Sequence, residues 1–253
     1  MIDLHCHILP GIDDGTKTLG DAIKMANTAV DQGIHHILCT PHHNSQYYAS
    51  VEKIIHLVAD LKKELDIREI PLTLYEGQEI RIDGTIMNKI ENNNLLFVDL
   101  SNRYLLIEFP TREVPAYAEQ LFFELLNKGH IPIIVHPERN SMLIENPNRL
   151  IPFLKMGVLT QMTAPSYVGI FGKKIAQTAK QMLSHNMIYM VASDAHCIED
   201  RSFYLASAYE QIEKDLGENK VKILKQTAKD ILNGDFIQML KFEKISNRKF
   251  KLF

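Results

Sequence analysis

Seven short apolar runs alternate with amphipathic segments along almost the whole chain, and this alternation limits the possible folds more than any other feature of the sequence. The runs begin at Ile2, Ile34, Leu72, Tyr104, Ile131, Val158 and Met187. They are short and bounded by turn residues, as strands buried in a sheet are. Between the first two, Leu19, Ile23, Met25, Ala26 and Val30 recur at helical spacing, with Gly33 as the stop. Ser50 then stands as an N-cap before the stripe Val51, Ile54, Ile55, Val58, Leu61 and Leu65. Further helical segments fall near 85–91, 115–128, 147–155 and 170–184, and helices fill most of 203–233. Alternation of this kind predicts a parallel sheet with covering helices, either closed or doubly wound. No linker or internal repeat interrupts it, so 253 residues fit one large α/β domain, and a seven-unit β/α barrel fits the strand count.

Composition removes several classes of function. The formal charge is -3 and no long Lys/Arg run crosses the body of the chain, which argues against nucleic acid as a main partner. The longest apolar run, Ile131 to Val135, is far too short to span a bilayer, and Asp3 and His5 fall where the apolar part of a leader would lie. Cys6, Cys39 and Cys197 are odd in number and scattered, so a reducing cytoplasm is the expected setting.

The chemistry gathers where the apolar runs stop. His5 and His7 are two apart, so on a strand they share a face while Cys6 points away. His42 follows the second run, Glu79 the third, Glu108 the fourth and His136 the fifth; Asp194 and His196 follow the seventh. Six of seven strands thus end in a metal-ligand type, at the end of an α/β sheet where functional groups collect. Any one of them could be an ordinary solvated loop residue; the recurrence is what argues for a site. With Asp14 from the turn-rich loop Pro10–Gly15 the set reaches nine, more than one ion takes. Its four carboxylates suggest two or three ions sharing bridging groups, the standard device for hydrolysing phosphate esters. Arg139 and Arg201 lie next to the set, and arginine binds phosphate through two parallel hydrogen bonds. Cysteine-based phosphatase chemistry is excluded by spacing. It needs an arginine six positions after the cysteine, and those positions hold Ile12, Ser45 and Phe203. The other histidines, His35, His36, His56, His130 and His185, read as structural or exposed; His43, beside His42, is left open.

In order along the chain, His5-Cys6-His7, Thr40-Pro41-His42, His136-Pro137-Glu138-Arg139 and Ser193-Asp194-Ala195-His196 resemble the polymerase-and-histidinol-phosphatase (PHP) superfamily. Within it, Asp13-Asp14-Gly15, Gly77-Gln78-Glu79-Ile80, Leu106-Ile107-Glu108-Phe109 and Phe171-Gly172-Lys173 are similar to the bacterial manganese-dependent tyrosine-protein phosphatases of capsule and exopolysaccharide operons. The resemblance covers roughly residues 1 to 235. It implies a distorted seven-unit (β/α)7 TIM-like barrel, the PHP fold, holding three metal ions. One would be held by His5, His7, Glu79 and Asp194, a second by Glu79, Glu108 and His136, and a third by Asp14, His42 and His196. The choice of Asp14 over Asp13 rests on the motif alone. The resemblance further implies Mn²⁺, with Fe, Mg²⁺ or Zn²⁺ as alternatives, and Arg139 and Arg201 on the phosphate. The implied partner is a phosphotyrosine protein, the tyrosine-rich tail of a membrane-bound bacterial tyrosine kinase, with membrane contact only through that kinase. The alternatives are another superfamily reaction, such as histidinol-phosphate hydrolysis, and a non-enzymatic barrel that keeps metals for stability. Residues 1–240 are expected to form one domain, with a basic, aromatic tail over 241–253.

Overall fold

A computed structural model describes residues 1–246. Its strands are β1 (Ile2–Cys6), β2 (His36–Cys39), β3 (His42–His43), β4 (Thr73–Glu76), β5 (Glu79–Arg81), β6 (Tyr104–Glu108), β7 (Ile131–Val135), β8 (Leu159–Thr163) and β9 (Met190–Ala192). The helices are α1 (Leu19–Asp31), α2 (Val51–Ile67), α3 (Ile86–Glu91), α4 (Ala118–Asn127), α5 (Ser141–Glu145), α6 (Ile151–Met156), α7 (Ala164–Val168), α8 (Lys173–Ser184), α9 (Leu205–Leu216) and α10 (Glu218–Asn233). Every pairing is parallel, as the alternation predicts. β6 is buried along its whole length, which is expected when helices cover both faces of a parallel sheet. The caps are local: Ser50 Oγ accepts the Lys53 amide at the start of α2, and Thr18 with Asp21 forms a capping box at α1.

The strand count differs from the seven expected. The strands form two sheets, β1-β2-β4 and β3-β5-β6-β7-β8-β9. The second expected strand, Ile34 to Thr40, stops at Cys39, and past Pro41, which has no N–H to give a ladder, His42 and His43 form an additional short strand. The third breaks at Gly77, where a Cβ would lie 2.8 Å from Leu38 Cγ, so only glycine lets the backbone come this close. As a result Glu79 opens β5 instead of following a strand, and it pairs with His42 on one side and Leu106 on the other. The chain ends of the two sheets meet at a parallel bridge between Cys6 and Ala195, where the Asp194 amide donates to the His5 carbonyl at 2.8 Å and the His7 amide to the Ala195 carbonyl at 2.9 Å.

Beyond α10 the chain runs back along the opposite end of the strands. The Arg103 guanidinium lies 3.8 Å from the centre of the Phe236 ring, and Asn148 exchanges hydrogen bonds of 2.8 and 2.9 Å with the Ile245 backbone. Ile245 is buried. The first six residues of the basic tail are therefore laid against the body, and its remainder, 247–253, lies outside the described residues. No helix among the described residues is long and apolar enough to cross a membrane.

Candidate metal centre

All nine candidate ligands converge at one end of the strands. His5 sits within β1 and His7 just past it, and both imidazoles point into the same space. Each is fixed from behind. His5 Nδ1 is 2.8 Å from Gln161 Oε1, and the Gln161 amide nitrogen donates to the Met162 carbonyl, so the oxygen is the atom turned toward His5. His7 Nδ1 is 2.8 Å from Asp13 Oδ2. With Nδ1 carrying the hydrogen in both rings, both Nε2 atoms present lone pairs to the centre.

Those two nitrogens and two carboxylate oxygens face one another. His5 Nε2 and His7 Nε2 are 3.3 Å apart. Glu79 Oε2 lies 3.4 Å from each, and Asp194 Oδ1 lies 3.5 Å from His5 and 3.4 Å from His7. Five of the six separations among these atoms are thus 3.3–3.5 Å, and a regular tetrahedron of such an edge has its centre about 2.1 Å from every vertex, the bond length of a divalent ion to nitrogen or carboxylate oxygen. Four electron-rich atoms in a fully buried space repel one another unless a positive charge sits among them. Burial opposes charge on His7, but the carboxylates of Asp13, Asp194 and Glu79 outweigh it and hold its pKa well above the usual imidazole value. Burial likewise works to raise Glu79 and Asp194, yet histidines, and for Asp194 also Arg139, keep both far below the ordinary carboxylate range. The pocket demands a cation, and its donor set fits a metal.

A second group stands at the mouth. Asp14 Oδ1 lies 3.2 Å from His42 Nε2 and 3.3 Å from His196 Nε2, with His7 alongside. His42 Nδ1 is 2.8 Å from Glu79 Oε2 without the alignment of a hydrogen bond, and His196 Nε2 has no hydrogen-bond partner among the described residues. Burial, then the neighbouring His7, pushes His196 down to about 4. His42 rises to about 9, because Glu79 and Asp14 overcome its burial. The neighbouring carboxylate, Asp13, has no free oxygen: it accepts from His7, from the His42 amide and from the Gly15 amide. A Cβ on Gly15 would stand 2.1 Å from the His7 carbonyl oxygen, so this loop closes over His7 only with glycine there.

On the remaining side, Glu79 and Glu108 converge with His42. His136 joins them, its Nε2 2.8 Å from Glu79 Oε1 and 3.9 Å from Glu108 Oε1. Burial and the Glu79 charge raise Glu108 above the ordinary carboxylate range. His136 and Asp194 both take up positive φ, at 35° and 54°, an uncommon conformation for residues with a Cβ and one that clusters at functional sites. Asp194 Oδ2 receives both arginines: Arg139 Nη1 in a short contact and Arg201 Nη2 at 3.1 Å. Arg201 also reaches toward Asp14, at 3.6 Å. The two guanidiniums therefore line the same cleft of about 230 Å³ as the candidate ligands.

Three contributors were not singled out from the sequence. Gln161 and Asp13 orient the histidines, and Arg81 holds Glu108, with Nη2 2.8 Å from Oε2. Asp13 carried a signal in its motif; Gln161 lies inside β8, the one strand whose end showed no ligand type. Cys6 turns away as expected, its thiol against the Ala195 carbonyl. His43 lies outside the cluster, buried beside Gln78 and Tyr48.

The family described as capsular polysaccharide synthesis, CpsB/CapC, matches residues 1–233. The chain is 41% identical to the tyrosine-protein phosphatase YwqE of Bacillus subtilis over 250 residues, covering 98% of each. It is 27% identical to the tyrosine-protein phosphatase CpsB of Streptococcus agalactiae, covering 94% of this chain and all of that one. Among solved structures, one from work on YwqE of Bacillus subtilis and CpsB of Streptococcus pneumoniae, described as metal-dependent tyrosine phosphatases, superposes with a TM-score of 0.94 at 40% identity, covering 97% of this chain and 100% of that one.

Proposed function

The chain belongs to the CpsB/CapC family of capsular polysaccharide synthesis, and on that premise we propose that it is a metal-dependent protein-tyrosine phosphatase. The observation that carries this reading is the buried tetrahedron of His5, His7, Glu79 and Asp194, with two arginines on its open side. We assign the nine residues to three ions: His5, His7, Glu79 and Asp194 to one, Glu79, Glu108 and His136 to a second, and Asp14, His42 and His196 to a third. Mn²⁺ is the preferred ion, because the four carboxylates among the nine donors favour it over Zn²⁺, with Fe, Mg²⁺ and Zn²⁺ as alternatives.

Bound ions supply Lewis-acid charge and bring water to the acidity of a nucleophile near neutral pH. The protein supplies the rest. Arg139 and Arg201 hold the phosphoryl oxygens through paired hydrogen bonds, and Asp194 aims both guanidiniums. Phe171 lies 5.1 Å from the Arg139 guanidinium and keeps it over the cleft. The leaving group is a phenolate with an ordinary pKa near 10, so it departs with less help from an acid than an alkoxide would need.

The two sheets are read as one distorted seven-unit barrel, in which β2 with β3, and β4 with β5, each count as one interrupted strand. The Cys6–Ala195 bridge and the hydrogen bonds around it support closure. Residues 1–240 are read as a single phosphatase domain in the cytoplasm. The proposed substrate is the phosphotyrosine tail of a bacterial tyrosine kinase that governs capsule or exopolysaccharide synthesis.

The test is turnover of a phosphotyrosine peptide by protein stripped with chelator and then reloaded. Activity should vanish on stripping and return best with Mn²⁺, and histidinol phosphate should be a far poorer substrate. Equal or better hydrolysis of histidinol phosphate would move the chain to the alternative reaction, and no hydrolysis of either ester at full metal content would leave the non-enzymatic barrel.

A further inference from the structure

The cleft is walled almost entirely by charged and amide groups: carboxylates and imidazoles at its floor, Arg81, Arg139 and Arg201 at its sides, Asn44 and Gln46 at its rim. Among the described residues, and apart from the imidazoles, the one aromatic ring lining it is that of Tyr47. That ring is held in place. Asn44 Oδ1 accepts the amides of Gln46 and Tyr47 at 2.8 Å each, and the Asn44 amide donates to the Tyr47 carbonyl at 2.8 Å, so the turn is fixed from both directions. The ring itself lies nearly parallel to that of His42, at 15° and 5.9 Å between centroids, and its hydroxyl accepts from the Gln46 amide nitrogen at 3.2 Å. The next residue behaves differently: Tyr48 is 67% exposed, packs on His43 and does not line the cleft.

We infer that Tyr47 is the specificity residue for the aryl part of the substrate, the surface on which the phenyl ring of a phosphate ester rests while the arginines hold its phosphoryl group. The inference rests on the phosphatase reading of the same site. An ester gripped at the floor by Arg139 and Arg201 must pass its organic group out through the mouth, and Tyr47 stands there. Ring packing is available to an aryl ester and absent for an alkyl one, so a single preset ring discriminates between the two without touching the reacting bond. Because the ring is already ordered by the Asn44 turn, little freedom is lost when a second ring settles against it.

The experiment measures calorimetric binding of benzylphosphonate and of ethylphosphonate to the Mn²⁺-loaded protein. It compares the wild type with Tyr47→Leu, Tyr47→Phe and Tyr48→Leu, with metal content determined for each. The wild type should prefer the aryl ligand. Tyr47→Leu should lose roughly threefold to tenfold of affinity for benzylphosphonate and none for ethylphosphonate, at unchanged metal content, which is the range of one aromatic pair. Tyr47→Phe should retain the preference, and Tyr48→Leu should behave as wild type. In turnover the same loss should appear in KM for a phosphotyrosine peptide and not in kcat, the signature of lost uniform binding. An equal loss for both phosphonates, or a fall in metal content, would mean that the ring only props His42; no loss for either would leave Tyr47 without a role. Both results overturn the inference while leaving phosphatase activity intact. Failure of the wild type to hydrolyse the peptide would instead strike the phosphatase reading itself.

Discussion

The floor of the cleft and its mouth are built from the same residue types yet differ in how far they are closed off from solvent. At the floor, His5, His7, Glu79 and Asp194 are all buried, and three of them have a further hydrogen-bond partner: Gln161 for His5, Asp13 for His7 and the arginine pair for Asp194. At the mouth, His196 is braced in the same way, its Nδ1 3.0 Å from the Asp194 carbonyl oxygen, but the Asp14 side chain is 40% exposed. A buried, braced ligand loses little freedom on binding, so the floor is preorganised for an ion and the mouth, through the exposed Asp14, is less so. On the proposed assignment this is a division of labour: one ion would be kept by the protein, and another would have its place shared with solvent and substrate.

The largest effect should follow from breaking the floor. Asp194→Ala removes a vertex of the tetrahedron and the acceptor of both arginines, so turnover should fall by a factor on the order of a thousand or more, with the retained ion lost. Circular dichroism should show the fold intact, and full activity at matched metal content would sink the assignment. Asp14→Ala should cost less, about a hundredfold in turnover, and should remove one ion while the floor keeps its own; metal analysis after gel filtration separates the cases. If Asp14→Ala empties the floor as well, the two groups are one cooperative site and the contrast fails.

Acidity offers a second way to break the contrast. Against its burial, Glu79 and Asp14 push the His42 imidazole up to about 9, so an ion entering at neutral pH must displace a proton from it. Affinity should therefore rise with pH by about tenfold per unit for each proton released, with His7, which is also raised, contributing beside His42. Calorimetry of Mn²⁺ binding in buffers of different ionisation enthalpy counts those protons. A pH-independent affinity between 7 and 9 would mean that the imidazole is already neutral.

Much of this arrangement was legible because apolar runs end where backbone direction changes, and a His or Glu at each ending declares itself against the run before it. His136 after Ile131–Val135 and Asp194 after Met187–Ala192 are of that kind. The interruptions were not legible. Pro41 could have ended a strand or begun a loop, and the need for glycine at 77 exists only because Leu38 of the neighbouring strand lies against it. Glu79 was named as a strand end and proved to be a strand start, which changes its neighbours but keeps it central to the cluster. Gln161 was hidden because an amide within a buried strand looks like ordinary alternation until the ring it faces is known. Tyr47 was hidden for the same reason, since its value depends on His42 beneath it.

The outer partners give the two smaller predictions. Asp13→Asn keeps the size of the side chain but replaces one oxygen by an NH₂ group, although all its contacts are with donors: His7 Nδ1–H and the amides of His42 and Gly15. A donor must then face a donor, His7 loses its fixed tautomer, and metal affinity should drop by about tenfold to a hundredfold. Recovery of affinity at high Mn²⁺ should restore kcat, because no reacting group has been removed.

Gln161→Leu is the finest probe of the same idea. The Gln161 oxygen is a neutral acceptor, whereas Asp13 is charged, so its hold on His5 is weaker than the hold on His7. Leucine leaves His5 Nδ1–H buried without a partner, and the ring can recover one only by turning its Nε2 lone pair away from the tetrahedron. Affinity at the floor should fall by up to about tenfold, less than for Asp13→Asn, with the mouth unaffected. Gln161→Glu restores an acceptor, now charged, and should recover affinity. If Gln161→Leu costs more than Asp13→Asn, the ranking of charged over neutral support is wrong, and His5 rather than His7 is the ligand on which the floor depends.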